Sequence, residues 1–136
     1  MEYQIPPCFY RVSVKALIYN ETKDKFLVTL ENNGTWEVPG GGLDWGEDPV
    51  ACVTREIEEE TGLKIIEVGQ NPKYMYTCQH SNGNWILCLV YEIKVKDLNF
   101  RPSDECTDVK FVDLEDVQNM KVFNTVTELA KKIKNG

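Results

Sequence analysis

The chain has 136 residues, a length that builds one domain, and a single domain over residues 1–136 is the expected organisation. With 42% hydrophobic and 27% charged residues it has the composition of a packed globular protein, which excludes a disordered chain. Fifteen Lys and Arg against 22 Asp and Glu leave a net charge of −7, which repels a nucleic-acid backbone or an anionic membrane, so neither is expected as a partner.

From the amino end, residues 9–19 alternate, with Val12, Val14, Ala16 and Ile18 on one face, as in a half-buried strand. A polar turn over residues 20–25 leads to a second strand from Phe26 to Leu30, and the pair reads as a hairpin. After the Asn32-Asn33-Gly34 turn comes a short extended piece from Thr35 to Val38, and Pro39 with three glycines should stop regular structure. Asp48-Pro49 opens the clearest helix, which ends at Gly62. Leu63–Val68, Lys73–Gln79, Trp85–Val95 and Val109–Val112 read as strands, Leu114–Met120 as a helical turn and Thr125–Lys134 as an amphipathic helix. Strands and helices that mix without strict alternation indicate a mixed α/β or α+β domain.

Five cysteines (Cys8, Cys52, Cys78, Cys88 and Cys106) form no Cys-x-x-Cys pair and sit in or beside apolar runs. They read as reduced thiols, and the one histidine, His80, leaves no ligand set for a soft metal. The amino end lacks the layout of a signal peptide, and the longest apolar run, Trp85–Tyr91, is too short to cross a bilayer. A cytoplasmic location is the expectation.

The helix from Pro49 to Thr61 carries the chemistry. Val50, Val53 and Ile57 recur at helical spacing and form its buried stripe. Glu56, Glu59 and Glu60 share the flank beside that stripe, whereas Glu58 points to solvent. Like charges at these spacings cost roughly 0.2–0.5 kcal/mol per pair. They also sit near the negative end of the helix dipole, where a cation is favoured by about 0.3–1 kcal/mol. Two readings fit this cluster: an ordinary acidic surface helix, or carboxylates that a divalent cation turns into ligands. Oxygen donors at a half-open site suit Mg²⁺ or Mn²⁺ better than zinc. Beside the helix, Pro39-Gly40-Gly41-Gly42 lets backbone approach a metal, a phosphate or another element closely, or else makes a tight turn. Arg55 could hold a neighbouring carboxylate by a forked hydrogen bond, and Glu47 lies just before the helix.

The string PGGGLDWGEDPVACVTREIEEETGL over residues 39–63 resembles the signature box of the Nudix hydrolases, G-x5-E-x7-R-E-U-x-E-E-x-G-U, where U is bulky and aliphatic. Gly41, Glu47, Arg55, Glu56, Ile57, Glu59, Glu60, Gly62 and Leu63 fill all nine specified places. The resemblance implies a three-layer α/β/α sandwich with a mixed β-sheet. It also implies Mg²⁺- or Mn²⁺-dependent hydrolysis of a small phosphoanhydride, typically a nucleoside diphosphate linked to another moiety. By the same resemblance Glu56, Glu59 and Glu60 are metal ligands, with the Gly40 carbonyl beside them. Glu47 and Arg55 are the ion pair that supports these ligands. Glu105, or its neighbour Asp104, matches the acid that many members carry in a later loop, as ligand or base. The catalytic set is then Arg55, Glu56, Glu59 and Glu105, with Glu56 or Glu105 taking a proton from water.

Outside the box the signals are thin, and no subgroup marker of the family is clear. Arg11 could meet a phosphate, and Tyr76, Trp85 and Phe123 could stack on a base, each against the alternative of a salt bridge or ordinary packing. Two rival functions stay open beside the hydrolase: a non-catalytic nucleotide-binding domain, and an RNA 5′-end pyrophosphohydrolase. A monomer or a homodimer is expected.

Overall fold

Strand β7 (Trp85–Val95) reads as an almost continuous apolar run because both of its faces are covered. Residues Cys88 and Val90 face one core, and Tyr91 and Ile93, after the chain's alternation carries through, face the other. The computed structural model describes residues 8–136. In chain order the elements are β1 (Arg11–Leu17), β2 (Phe26–Leu30), β3 (Trp36–Glu37), β4 (Gly40–Gly42), α1 (Pro49–Thr61), β5 (Ile65–Val68) and β6 (Tyr74–Gln79). After β7 come β8 (Asp108–Val112), α2 (Leu114–Val117) and α3 (Asn124–Asn135).

The larger sheet runs β4-β1-β7-β5, with β6 also paired to β7; β1 and β7 are parallel and the other pairs antiparallel. A smaller antiparallel sheet runs β3-β2-β8. Val14, Ala16 and Ile18 pack with Val53 and Ile57 of α1 on one face. Leu17, Cys88 and Val90 pack with Val126 and Leu129 of α3 on the other. Helices on both sides of a mixed, curled sheet give the expected α/β sandwich.

Two expectations change. The first two strands meet only at the turn: the Tyr19–Phe26 bridge, with Leu27 N–H donating to the Ile18 carbonyl at 2.9 Å and Asn20 N–H to the Lys25 carbonyl at 3.0 Å, closes a short hairpin, beyond which β1 pairs with β4 and β7 and β2 with β3 and β8. A strand has two hydrogen-bonding edges, and along most of β1 both are taken, one by β4 and the other by β7. The glycine run does not stop regular structure either, since Gly40–Gly42 forms β4 against Ser13–Lys15. Gly40 has φ +148°, and a Cβ there would collide with the Val14 carbonyl, so this close pairing needs glycine.

Candidate active site

Helix α1 begins as its sequence dictates: the Asp48 carboxylate accepts the Ala51 N–H at 2.9 Å, with Pro49 in the first turn. It ends at Gly62 in the left-handed conformation (φ 69°), whose N–H donates to the Glu58 carbonyl at 3.0 Å. Its last turn carries no basic residue to offset the dipole there.

Arg55 gathers the outer carboxylates. Its guanidinium lies 3.2 Å from Glu47, 3.1 Å from Glu56 and 3.2 Å from Glu59. Glu47 also accepts the Asp44 N–H at 2.9 Å, and this bond, with Arg55, holds its carboxyl below the usual range. Glu56 is pressed against β4: a Cβ on Gly41 would stand 2.6 Å from its carboxyl carbon. Glu59 and Glu58 are exposed.

Glu60 faces inward, to a cavity of about 180 Å³ that it shares with Gly40 and Glu105. Burial raises its pKa to about 8; Lys15 opposes this, while Glu56 and Glu105 add to it. The loop bearing Glu105 is docked on the end of α1, because Ser103 Oγ donates to the Glu60 carbonyl at 2.9 Å and Arg101 N–H to Thr61 at 2.8 Å. Of the two acids weighed for this loop, Glu105 lines the cavity.

Tyr76 lies in the core and its hydroxyl donates to the Thr125 carbonyl at 2.7 Å. Arg11 donates to the Leu43 carbonyl at 2.7 Å and meets Asp44 at 3.2 Å. Trp85 is half exposed and packs edge-on against Tyr10, and Phe123 stacks on His80 with ring centroids 5.4 Å apart.

The opposite wall of the cavity escaped the sequence reading. It includes Glu31, Asn32 and Glu37 from β3 and the segment that joins β2 to it. Beneath it the buried Lys15 ammonium stands 3.8 Å from Glu37 Oε1. Burial alone would lower the Lys15 pKa, but Glu37 and other negative neighbours hold it above its ordinary value. The alternation of β1 puts Lys15 with Arg11 and Ser13 on the face read as polar, so its burial had no local signal; once buried, a lysine needs an acid partner.

The donor set fits a divalent cation. It is all oxygen, from carboxylates, and the missing Cβ of Gly41 leaves the Glu56 carboxylate its place. Among the described residues no three acidic, His or Cys side chains are already drawn around one point, so ion binding would have to complete the cluster. Arg55, bonded to three of the carboxylates, is what spaces them meanwhile.

Together, the sandwich and a carboxylate-bearing helix docked on a glycine strand define an α/β domain with a strand–loop–helix acidic site. The NUDIX domain model matches residues 9–133, and the chain belongs to this family of hydrolases. Members act on small phosphoanhydrides and generally use divalent metals. A MutT-like protein of Streptomyces ambofaciens is 32% identical over 111 residues, covering 82% of this chain and 69% of that protein. An RNA pyrophosphohydrolase of Francisella tularensis is 36% identical over 59 residues, 43% of this chain and 38% of that one. Nudix hydrolase 26 of Arabidopsis thaliana is 41% identical over 64 residues, 46% of this chain and 30% of that one. The chain thus spans well under half the length of several relatives it matches. Among solved structures, the MutT protein of Methanosarcina mazei superposes with a TM-score of 0.78 at 22% identity, over 93% of this chain and 94% of that one. That likeness concerns the fold. Among the described residues no helix is long and apolar enough to cross a membrane.

Proposed function

We propose that this single domain hydrolyses a pyrophosphate bond in a nucleoside diphosphate linked to another moiety, or a related phosphoanhydride, with Mg²⁺ or Mn²⁺. The observation that carries the proposal is the position of Glu56, between Gly41 of β4 and Arg55, beside the cavity that Glu60 and Glu105 share. Glu56, Glu59, Glu60 and Glu105, with the Gly40 carbonyl, would hold the cation. Once bound, the cation offsets the charge of the anhydride oxygens and makes a coordinated water more acidic.

The chain's own residues do the rest. Arg55, anchored by Glu47, fixes the orientation of Glu56 and Glu59, as a planar fork can. Glu56 or Glu105 accepts a proton from the attacking water. The water oxygen forms the new bond to phosphorus, the anhydride P–O bond breaks, and its electron pair leaves with the departing phosphate. Placing Glu105 on a loop tied to the end of α1 keeps that acid within the same cavity as Glu60.

A panel of nucleoside triphosphates, sugar nucleotides, ADP-ribose and dinucleoside polyphosphates, assayed with Mg²⁺ and with Mn²⁺, tests this. Metal-dependent release of phosphate or nucleotide from at least one is expected; binding without any turnover would support a non-catalytic domain instead. The RNA pyrophosphohydrolases among the relatives favour one second reading, removal of pyrophosphate from an RNA 5′ end. The net charge of −7 weighs against it, and triphosphorylated RNA compared with free nucleotides separates the two.

A further inference from the structure

Helix α1 covers only part of its face of the larger sheet. It packs on β1, β4 and β5, over Val14, Ala16, Tyr91 and Ile93. The first half of β7 lies farther along that face, between β1 and β6. There Val12, Leu87 and Thr77 stand side by side across the three strands, with Leu89 and Met75 in the next row. In the row before, Trp85 pairs with Gln79 and packs edge-on against Tyr10. Alternation turns all of these side chains away from the core beneath α3, which takes Tyr76, Cys78, Ile86 and Cys88 instead.

Little covers them. Val12 and Leu87 are half-buried yet belong to neither core. Tyr10, Met75 and Trp85 are 45%, 60% and 49% exposed, so three of the seven large hydrophobic side chains left exposed among the described residues gather on one face. None of the side chains on this face is charged, although 27% of the chain is. Strand β6, which borders the face, reads YMYTCQ and carries no charge either. Exposed apolar residues scattered singly are normal surface; a contiguous, uncharged group rich in Trp, Tyr and Met has the make-up of an interface core.

We infer that this face packs against the same face of a second copy of the chain, as two stacked sheets related by a two-fold axis. Two chains of net charge −7 repel each other over most approaches, and a neutral face is where they can meet. A partner of opposite charge finds nothing on it to pair with. Sheets stack about 10 Å apart through side chains of this kind, and one apolar face complements its own copy, as a two-fold interface requires. Three strands wide and spanning Tyr10 to Val14 along β1, the face measures roughly 20 Å by 20 Å with its side chains, so two copies would bury on the order of 1,000 Å². That area is at the small end for a specific interface, and the dimer is a reversible one in the micromolar range. This inference does not rest on the phosphoanhydride proposal.

Sedimentation velocity of the full chain, metal-free and from about 1 to about 200 μM, tests it. The average mass should rise from that of one chain, 15.6 kDa, toward twice that value. Added salt should strengthen the dimer, because it screens the repulsion between the two chains and leaves an uncharged contact intact. Met75→Glu and Thr77→Glu each set a pair of carboxylates into the apolar contact. Each should weaken association at least about tenfold, with a melting temperature close to wild type. Both residues are exposed, so neither change disturbs the core, and the second variant guards against a first that misfolds. Leu98→Glu, which alters an exposed apolar side chain on the loop after β7, should dimerise as wild type does. A wild type that stays monomeric throughout would overturn the inference and leave the face to another protein. So would a dimer that both glutamate variants on β6 leave intact, one that Leu98→Glu weakens as much, or one that salt takes apart.

Discussion

The two flanks of the acidic site use the same side chain in opposite ways. On the outer flank Glu47, Glu56 and Glu59 share one guanidinium, and Glu59 stays in contact with water. On the inner flank Glu60, Glu37 and Glu31 are withdrawn from solvent around a single buried lysine. One guanidinium bridges the outer group at its border with water, which suits ligands that must release and recapture an ion. Burial makes charge expensive on the inner flank, which suits groups whose orientation, rather than mobility, matters.

Substitutions on the two flanks should therefore differ in what they damage. The largest effect belongs to the outer flank: Glu59→Gln should cut turnover by several orders of magnitude while the melting temperature stays close to wild type. Steady-state rates and a thermal melt of the same sample check it, and a folded variant at near-normal rate would remove Glu59 from the catalytic set. The inner flank should respond in stability instead. Lys15→Met strands a buried carboxylate and should cost about 3–5 kcal/mol, measured by urea unfolding. Between the two, Gly41→Ala places a methyl group 2.6 Å from the Glu56 carboxyl carbon, so it should weaken Mn²⁺ binding while the fold survives. Smallest is Arg11→Ala: this exposed pair with Asp44 should be worth no more than about 1 kcal/mol, and an unchanged KM would leave Arg11 without a substrate role.

What could be read from the sequence divides along the same line. Helix α1 was legible from Asp48 to Gly62 because its caps, apolar stripe and charges are local features, each set by residues within four positions. The β1–β2 pairing was not, because it depends on which distant strand claims each edge, and β7, the partner of β1, lies 75 residues away (Arg11 pairs with Ile86). The strand character of Gly40–Gly42 was hidden for a related reason: glycine disfavours a strand in isolation, and only the approach of β1 makes it useful. Lys15 and Glu37 went unnoticed as a pair since nothing in a linear spacing of 22 residues announces contact, and the alternation of β1 put Lys15 on the face read as polar.

Uptake of a divalent ion by the acidic cluster is read directly by a Mn²⁺ titration followed by electron paramagnetic resonance at pH 6 and pH 8. In the metal-free protein the Glu60 carboxyl is raised from 4.5 to about 8, so the native state holds a proton there that the unfolded chain has already lost. Stability of the metal-free protein should therefore fall as pH rises across that interval, and an incoming cation must displace the proton. Saturable Mn²⁺ binding that is tighter at pH 8 than at pH 6, and lost in Glu56→Gln, is the predicted result. No saturable binding at either pH, or binding that Glu56→Gln leaves intact, would contradict it.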